Sequence, residues 1–283
     1  MPSTFHHPRL RGPRRQALLD AAVRNFPEQF KVKDDAAAYL TAICAPHSRR
    51  WVFCSNGKSG TSSAKRFLFE LEFGARLNAR FLSTTDINPD AVSHQLIASD
   101  VFRPLSFMPD GLDVFAQALR LATVRHPESR AVSAFLYLCK SNELGFQWFV
   151  RDRLHMNALV QFDWENDMRT PRGFEKFLRY IEICVENRGP QSVDPHWRPQ
   201  HATIRPEIFL PGLIGKTEAL PEFFKKIAEQ LDQPLPGSWE APAANKNPDQ
   251  TARAKLMSPA ARKLIEKIYV QDFEQFGYQP GWA

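Results

Sequence analysis

Residues 51–66 read WVFCSNGKSGTSSAKR, and three local signals in them agree. Trp51 to Cys54 is a short apolar and aromatic run, the pattern of a buried strand. Ser55 to Gly60 sets a lysine between two glycines. From Thr61 onward Phe67, Leu68 and Leu71 recur at helical spacing, and Gly74 marks the stop. Strand, glycine loop and helix in that order predict a phosphate cradle. A helix start offers N–H donors and the positive end of the helix dipole, and Lys58 adds a full charge. The nucleoside-triphosphate loop G-x-x-x-x-G-K-[ST] fits Gly57, Lys58 and Ser59 but needs glycine at position 52, where the chain has Val52. Here the lysine comes earlier, ahead of Gly60 and the hydroxyls of Thr61, Ser62 and Ser63.

A second unit of the same kind lies downstream. Leu119–Val124 (LRLATV) reads as a strand, and RHPESRAVS (125–133) follows, with Pro127 suited to the first turn of a helix. Arg125 leaves the strand end and Ser133 lies about two helical turns on, so a guanidinium and a hydroxyl can converge on one phosphate. IFLPGLIGKTE (208–218) reads as a further strand leading to a helix at LPEFFKKIAEQL, and a last helix runs from Ser258-Pro259 to Gly277. Strands alternating with helices predict an α/β fold with a parallel sheet covered on both faces.

Composition sets the outer limits. The chain has 283 residues, 43% of them hydrophobic, which suits one large globular domain. Lys+Arg minus Asp+Glu is 37 − 31 = +6, a balance that favours anionic partners without choosing among them. No basic run interleaved with aromatics points to nucleic acid. Cys44, Cys54, Cys139 and Cys184 lie far apart without metal-ligand spacing, so reduced thiols, no metal and a cytoplasmic location are expected. AAAYLTAICA (36–45) is too short to span a bilayer. The expected division is a basic arm and helical lead-in over 1–48, then one domain over 49–283.

The two phosphate motifs together resemble those of sulfotransferases that use 3′-phosphoadenosine 5′-phosphosulfate (PAPS). KSGTSSAKR (58–66) is similar to their 5′-phosphosulfate loop, and RHPESRAVS to their 3′-phosphate motif. DPHWRPQ (194–200), FLPGLIGKTEAL (209–220) and IYVQDFEQFGY (268–278) resemble the chondroitin and dermatan type of carbohydrate sulfotransferase, in a soluble bacterial form. Ala64 stands where that branch carries tryptophan.

The resemblance implies a P-loop-like three-layer sandwich, a central and mostly parallel sheet flanked by helices. It implies sulfuryl transfer from PAPS, as co-substrate and without a metal, to the hydroxyl of a carbohydrate-like acceptor, leaving adenosine 3′,5′-bisphosphate. Lys58 would steady the leaving group. Ser59, Gly60, Thr61, Ser62 and Ser63 would line the 5′ side, with Lys65 and Arg66 as possible helpers. Arg125 and Ser133 would hold the 3′-phosphate, and Lys246, with Asn245 and Arg253, would cover the nucleotide. Two histidines compete as general base: His94, between the phosphate motifs, and His196, in DPHWRPQ, with Asp194 placed to orient one of them. Arg198, His201 and Arg205 are candidates to meet an anionic acceptor. A nucleotide-dependent kinase and a non-catalytic glycan-binding protein are the alternatives.

Overall fold

A computed structural model describes residues 8–79, 81, 87, 91–210, 212–236 and 254–281. Among these the sheet has five strands in the order β3-β1-β2-β4-β5: β1 Ile43–Ala45, β2 Trp51–Cys54, β3 Arg103–Pro104, β4 Leu119–Val124 and β5 Leu213–Lys216. β2, β4 and β5 pair in parallel, while β1 runs antiparallel to both β2 and β3. The sheet is therefore mixed, with β1 alone opposed to the other four strands.

β1, β2 and β4 alternate their residues between two cores, as a period of two requires. On one face Val52, Cys54, Ala122 and Val124 join α1 (Gly12–Asn25), α2 (Lys33–Ala42), α5 (Gly111–Gln117), α6 (Pro127–Glu143), α8 (Pro171–Arg188) and α12 (Pro259–Ile268). On the other, Trp51, Phe53 and Leu121 meet α3 (Thr61–Phe73), α4 (Ala91–Ala98) and α11 (Leu220–Gln230). Phe67 of α3 stacks on Phe224 of α11 at 4.3 Å, tying two helices across the second face. Burial of a ring of this size contributes about 2–3 kcal/mol.

Local chemistry sets the helix ends. α3 stops at Gly74, which takes a left-handed φ of 64° while its N–H caps the Glu70 carbonyl. Pro127 opens α6, and Ser258 caps α12 by accepting from the Ala261 N–H. The final helical stretch is interrupted at Tyr269, giving α12 and then α13 (Val270–Gln275).

Two details differ from the sequence reading. Residues 206–209 form a helical turn rather than the start of β5, because Pro206 opens a helix. Ile43–Ala45, inside the expected lead-in, is a strand paired on both sides. Three apolar residues emerging from a helix carry no period that separates strand from helix.

Candidate active site

Both phosphate motifs open at the carboxyl ends of neighbouring parallel strands. β2 ends at Cys54 and β4 at Val124, paired in the register Cys54 to Ala122. The loop after β2 turns through left-handed residues at Lys58 (φ 62°) and Gly60 (φ 74°) before α3 begins. Thr61 Oγ1 closes it by donating to the Asn56 carbonyl at 2.6 Å. The first N–H groups of α3 have no partner within the helix and are left for an anion. Ser62 and Ser63, nearly buried, make no side-chain hydrogen bond among the described residues.

The fully buried amide of Gln200 fastens this loop to the second motif. Its Oε1 accepts from the Arg125 backbone N–H at 2.9 Å, from Ser59 Oγ at 2.9 Å and from Asn56 Nδ2 at 3.1 Å. Its Nε2 donates to the Arg125 carbonyl at 2.8 Å. The two-point pairing with the Arg125 backbone fixes which end of the amide is oxygen. Asp272, buried beneath, holds the start of α9 (Gln200–Ile204) by accepting from the backbone N–H of Gln200 and His201, each at 2.8 Å.

Arg130 supplies a second tie. From α6 it donates to the carbonyls of Gly57 (2.8 Å), Arg198 (2.7 Å) and Pro195 (3.1 Å), and it is 1% exposed. Burial lowers the pKa of its guanidinium, and nearby Tyr269, Asp272 and Asp194 oppose that shift. Gly57 has no room for a side chain: a Cβ there would lie 2.7 Å from the Pro195 oxygen and 2.9 Å from the His196 Cα.

These ties bring the DPHWRPQ segment against the glycine loop. Lys58 Nζ lies 4.0 Å from the centroid of the Tyr137 ring, a cation–π contact. The His196 imidazole stacks on the same ring at 5.4 Å and 25°, with Phe149 edge-on at 5.1 Å. His196 Nδ1 is 2.8 Å from Asp194 Oδ1, which also accepts the His196 backbone N–H. Burial alone would raise the Asp194 carboxyl, but the bonds from His196 outweigh it and hold the pKa low. An ionised Asp194 accepts a hydrogen bond from Nδ1–H, which leaves the lone pair on Nε2, the arrangement of a general base with its orienting carboxylate. Burial first, then the charges of Arg125, Lys140 and Arg130, bring Lys58 down to about 8. Cations gathered in this way are what a polyanionic ligand relieves.

A model of the sulfotransferase family matches residues 41–279. The chain belongs to the sulfotransferase family. No curated protein and no solved structure matches it. Membership makes it a transferase of sulfuryl groups, and sulfotransferases generally take them from PAPS. Among the described residues no His, Cys, Asp and Glu group is placed to hold a metal, and no helix is long and apolar enough to cross a membrane.

The sulfotransferase gathers Lys58, Arg125 and His196 in one place: Arg125 Nη1 donates to the Lys58 carbonyl at 3.4 Å. Ser133 lies half-buried on α6, one turn before Tyr137. His94 lies half-buried on α4, which packs along α3. Lys246, Asn245 and Arg253 fall outside the described residues. Ser59 Oγ donates to Gln200 and Thr61 Oγ1 to the Asn56 carbonyl, which shapes the loop from within.

The three residues expected on the acceptor side have partners within the chain. Arg198 is spent on the carbonyls of Val193 and Gln191, and His201 on Asp272 at 2.9 Å. Arg205 is spent on Gln29 and Asp35 and packs over Phe30 and Tyr39. Arg66 donates to the Leu77 carbonyl at 2.9 Å. Lys65 is buried, with its pKa lowered chiefly by desolvation.

Sequence reading missed Gln200, Arg130 and Tyr137. Arg130 was visible as the second arginine of RHPESRAVS. Tyr137 shares a helix face with Ser133, four residues away. Gln200 gave no local signal, because its partners are 75 and 141 residues distant.

Proposed function

We propose that this sulfotransferase moves the sulfuryl group of PAPS to a hydroxyl of a carbohydrate-like acceptor and releases adenosine 3′,5′-bisphosphate. The observation that carries the reading is the Gln200 clasp. It makes one rigid unit of the loop that would take the 5′-phosphosulfate and the Arg125 segment that would take the 3′-phosphate. A donor with phosphates at both positions uses both halves of that unit, whereas ATP has no 3′-phosphate for Arg125.

Acceptor and donor are aligned so that the acceptor oxygen meets sulfur opposite the bridging oxygen. As the new S–O bond forms, the bond from sulfur to the bridging oxygen breaks and its electron pair stays with the 5′-phosphate. The acceptor proton passes to His196 Nε2, and Asp194 steadies the resulting imidazolium through Nδ1. The Lys58 ammonium and the N–H groups opening α3 neutralise charge on the departing phosphate, as fixed donors do where charge develops. His196 is taken as the base on its orienting carboxylate, Asp194, and on the ring it shares with Lys58. The partly exposed rings of Tyr137 and Phe149 beside His196, with Trp148 edge-on to Phe149, suit the apolar face of a sugar. Lys246 is proposed to close over the nucleotide. Four buried free thiols support a reducing, cytoplasmic setting.

Calorimetric titration with adenosine 3′,5′-bisphosphate, AMP and ATP, on wild type and Arg125→Ala, tests the reading. Bisphosphate should bind far more tightly than AMP, and the variant should lose that preference. Equal or tighter binding of ATP would overturn it in favour of a kinase.

A further inference from the structure

Tyr137 belongs to neither phosphate motif, yet it touches the two groups on which the chemistry depends. Its ring lies 4.0 Å from the Lys58 nitrogen and stacks on the His196 imidazole at 5.4 Å. We propose that Tyr137 is a positioning residue for sulfuryl transfer, a single aromatic plate that sets the charge for the leaving group and the base for the acceptor at a fixed separation. The proposal rests on the sulfotransferase reading with His196 as base.

In-line transfer needs the base and the leaving-group cation on opposite sides of sulfur, at a spacing set before the substrates arrive. A flexible lysine cannot hold that spacing by itself, since its four-carbon stem has many rotamers. Among the described residues no carboxylate pairs with Lys58, and the charges that act on it are those of Arg125, Lys140 and Arg130. Such surroundings push the ammonium away, and the negative face of an aromatic ring holds it without neutralising it. A carboxylate in the same place would cancel the charge the reaction needs.

His196 is held from three sides. Asp194 fixes its Nδ1, Phe149 meets it edge-on, and Tyr137 covers a face. Phe149 keeps a left-handed backbone (φ 65°) at the start of α7 (Val150–Val160), unusual for a bulky residue and costing about 1–3 kcal/mol. Tyr137 comes from α6, a long helix whose first turn is locked to the loop through Arg130. The plate is thus carried by the same helix that carries Ser133, directly after the β4 end from which Arg125 emerges.

The test compares Tyr137→Leu, which removes the ring and keeps the bulk, with Tyr137→Phe, which keeps the ring. Three quantities are read: bisphosphate affinity, the pH dependence of kcat with PAPS, and the NMR shifts of the Lys58 ε-methylene and the His196 ring. In Tyr137→Leu, kcat should fall at least about tenfold while bisphosphate affinity stays within about threefold. Its alkaline limb should move to lower pH by about half a unit or more, because the ammonium loses the ring's attraction. Both NMR signals should lose the displacement that a neighbouring ring current imposes. Tyr137→Phe should restore all of these to near wild type. A Leu variant with wild-type kcat and an unmoved alkaline limb would overturn the proposal, and so would a Phe variant as impaired as Leu. If the wild type fails to bind bisphosphate, the sulfotransferase reading fails separately, and the NMR shifts still decide whether the ring holds both groups.

Discussion

Replacing Lys58 by methionine should make the protein more stable and inactive. The stem of the side chain packs in the loop while its ammonium is largely buried among Arg125, Lys140 and Arg130, which lowers its pKa from 10.5 to about 8. At 1.36 kcal/mol per pH unit that drop corresponds to about 3 kcal/mol. Residual solvent access and the lost ring contact with Tyr137 reduce the expected gain to about 2 kcal/mol. For a domain of this size that is a rise in Tm of about 4–8 °C. The gain has a defined pH window. Below about pH 8 the lysine is protonated in both folded and unfolded chains, so the wild type carries the whole penalty. Between 8 and 10.5 the folded chain gives up the proton while the unfolded chain keeps it, and wild-type stability rises towards that of the variant. Denaturant titrations of both proteins at pH 7 and pH 10 should show a wide gap that has largely closed. A methionine variant less stable than wild type at pH 7, or a gap unchanged at pH 10, would refute the reasoning. Sulfuryl transfer should fall by about 10²–10³, the usual cost of removing one donor to a developing oxyanion.

The same lysine should take up a proton when the bisphosphate binds near pH 8.5, seen as a binding enthalpy that changes with the ionisation enthalpy of the buffer; no buffer dependence would count against it. Gln200→Ala leaves the buried groups of Arg125, Ser59 and Asn56 short of partners. It should cost about 2–4 kcal/mol by denaturant titration and weaken bisphosphate at least about tenfold. Gly57→Ala drives a methyl group into the Pro195 carbonyl and should reduce both donor affinity and kcat by forcing the loop away from His196. Asp194→Asn should lower kcat by about 10² with bisphosphate affinity kept, since the base loses its orienting charge; a fall of that size in His94→Ala with none in Asp194→Asn would move the base to His94.

The layers of the fold and the two strand–loop–helix units were legible because their signals are local. Trp51–Cys54, the glycine loop and the helix with Gly74 as stop fall within two dozen residues, and the unit at 119–133 repeats the grammar. What joins the loops was not legible. Gln200 is one polar residue among many until the chain folds it between Ser59 and Arg125, and the three residues of β1 become a strand only through neighbours on both sides. Positive charge was equally ambiguous on paper. Arg198 and Arg205 looked like ligand-facing cations and serve as struts, whereas Arg130, given no task, ties three carbonyls around the loop.

Asp272 has a consequence for the order in which the protein is made. The strand and loop at 51–60 leave the ribosome early, and Arg125 follows, but the residue that fastens them stands on a helix whose start is gripped by a carboxylate more than seventy residues later. Until that carboxylate emerges, the cationic loops have been synthesised without the brace that sets their geometry. A nascent chain stalled anywhere before Asp272 should therefore contain both segments proposed to hold the nucleotide and yet be unable to retain one. Competence should come abruptly, once Asp272 has emerged.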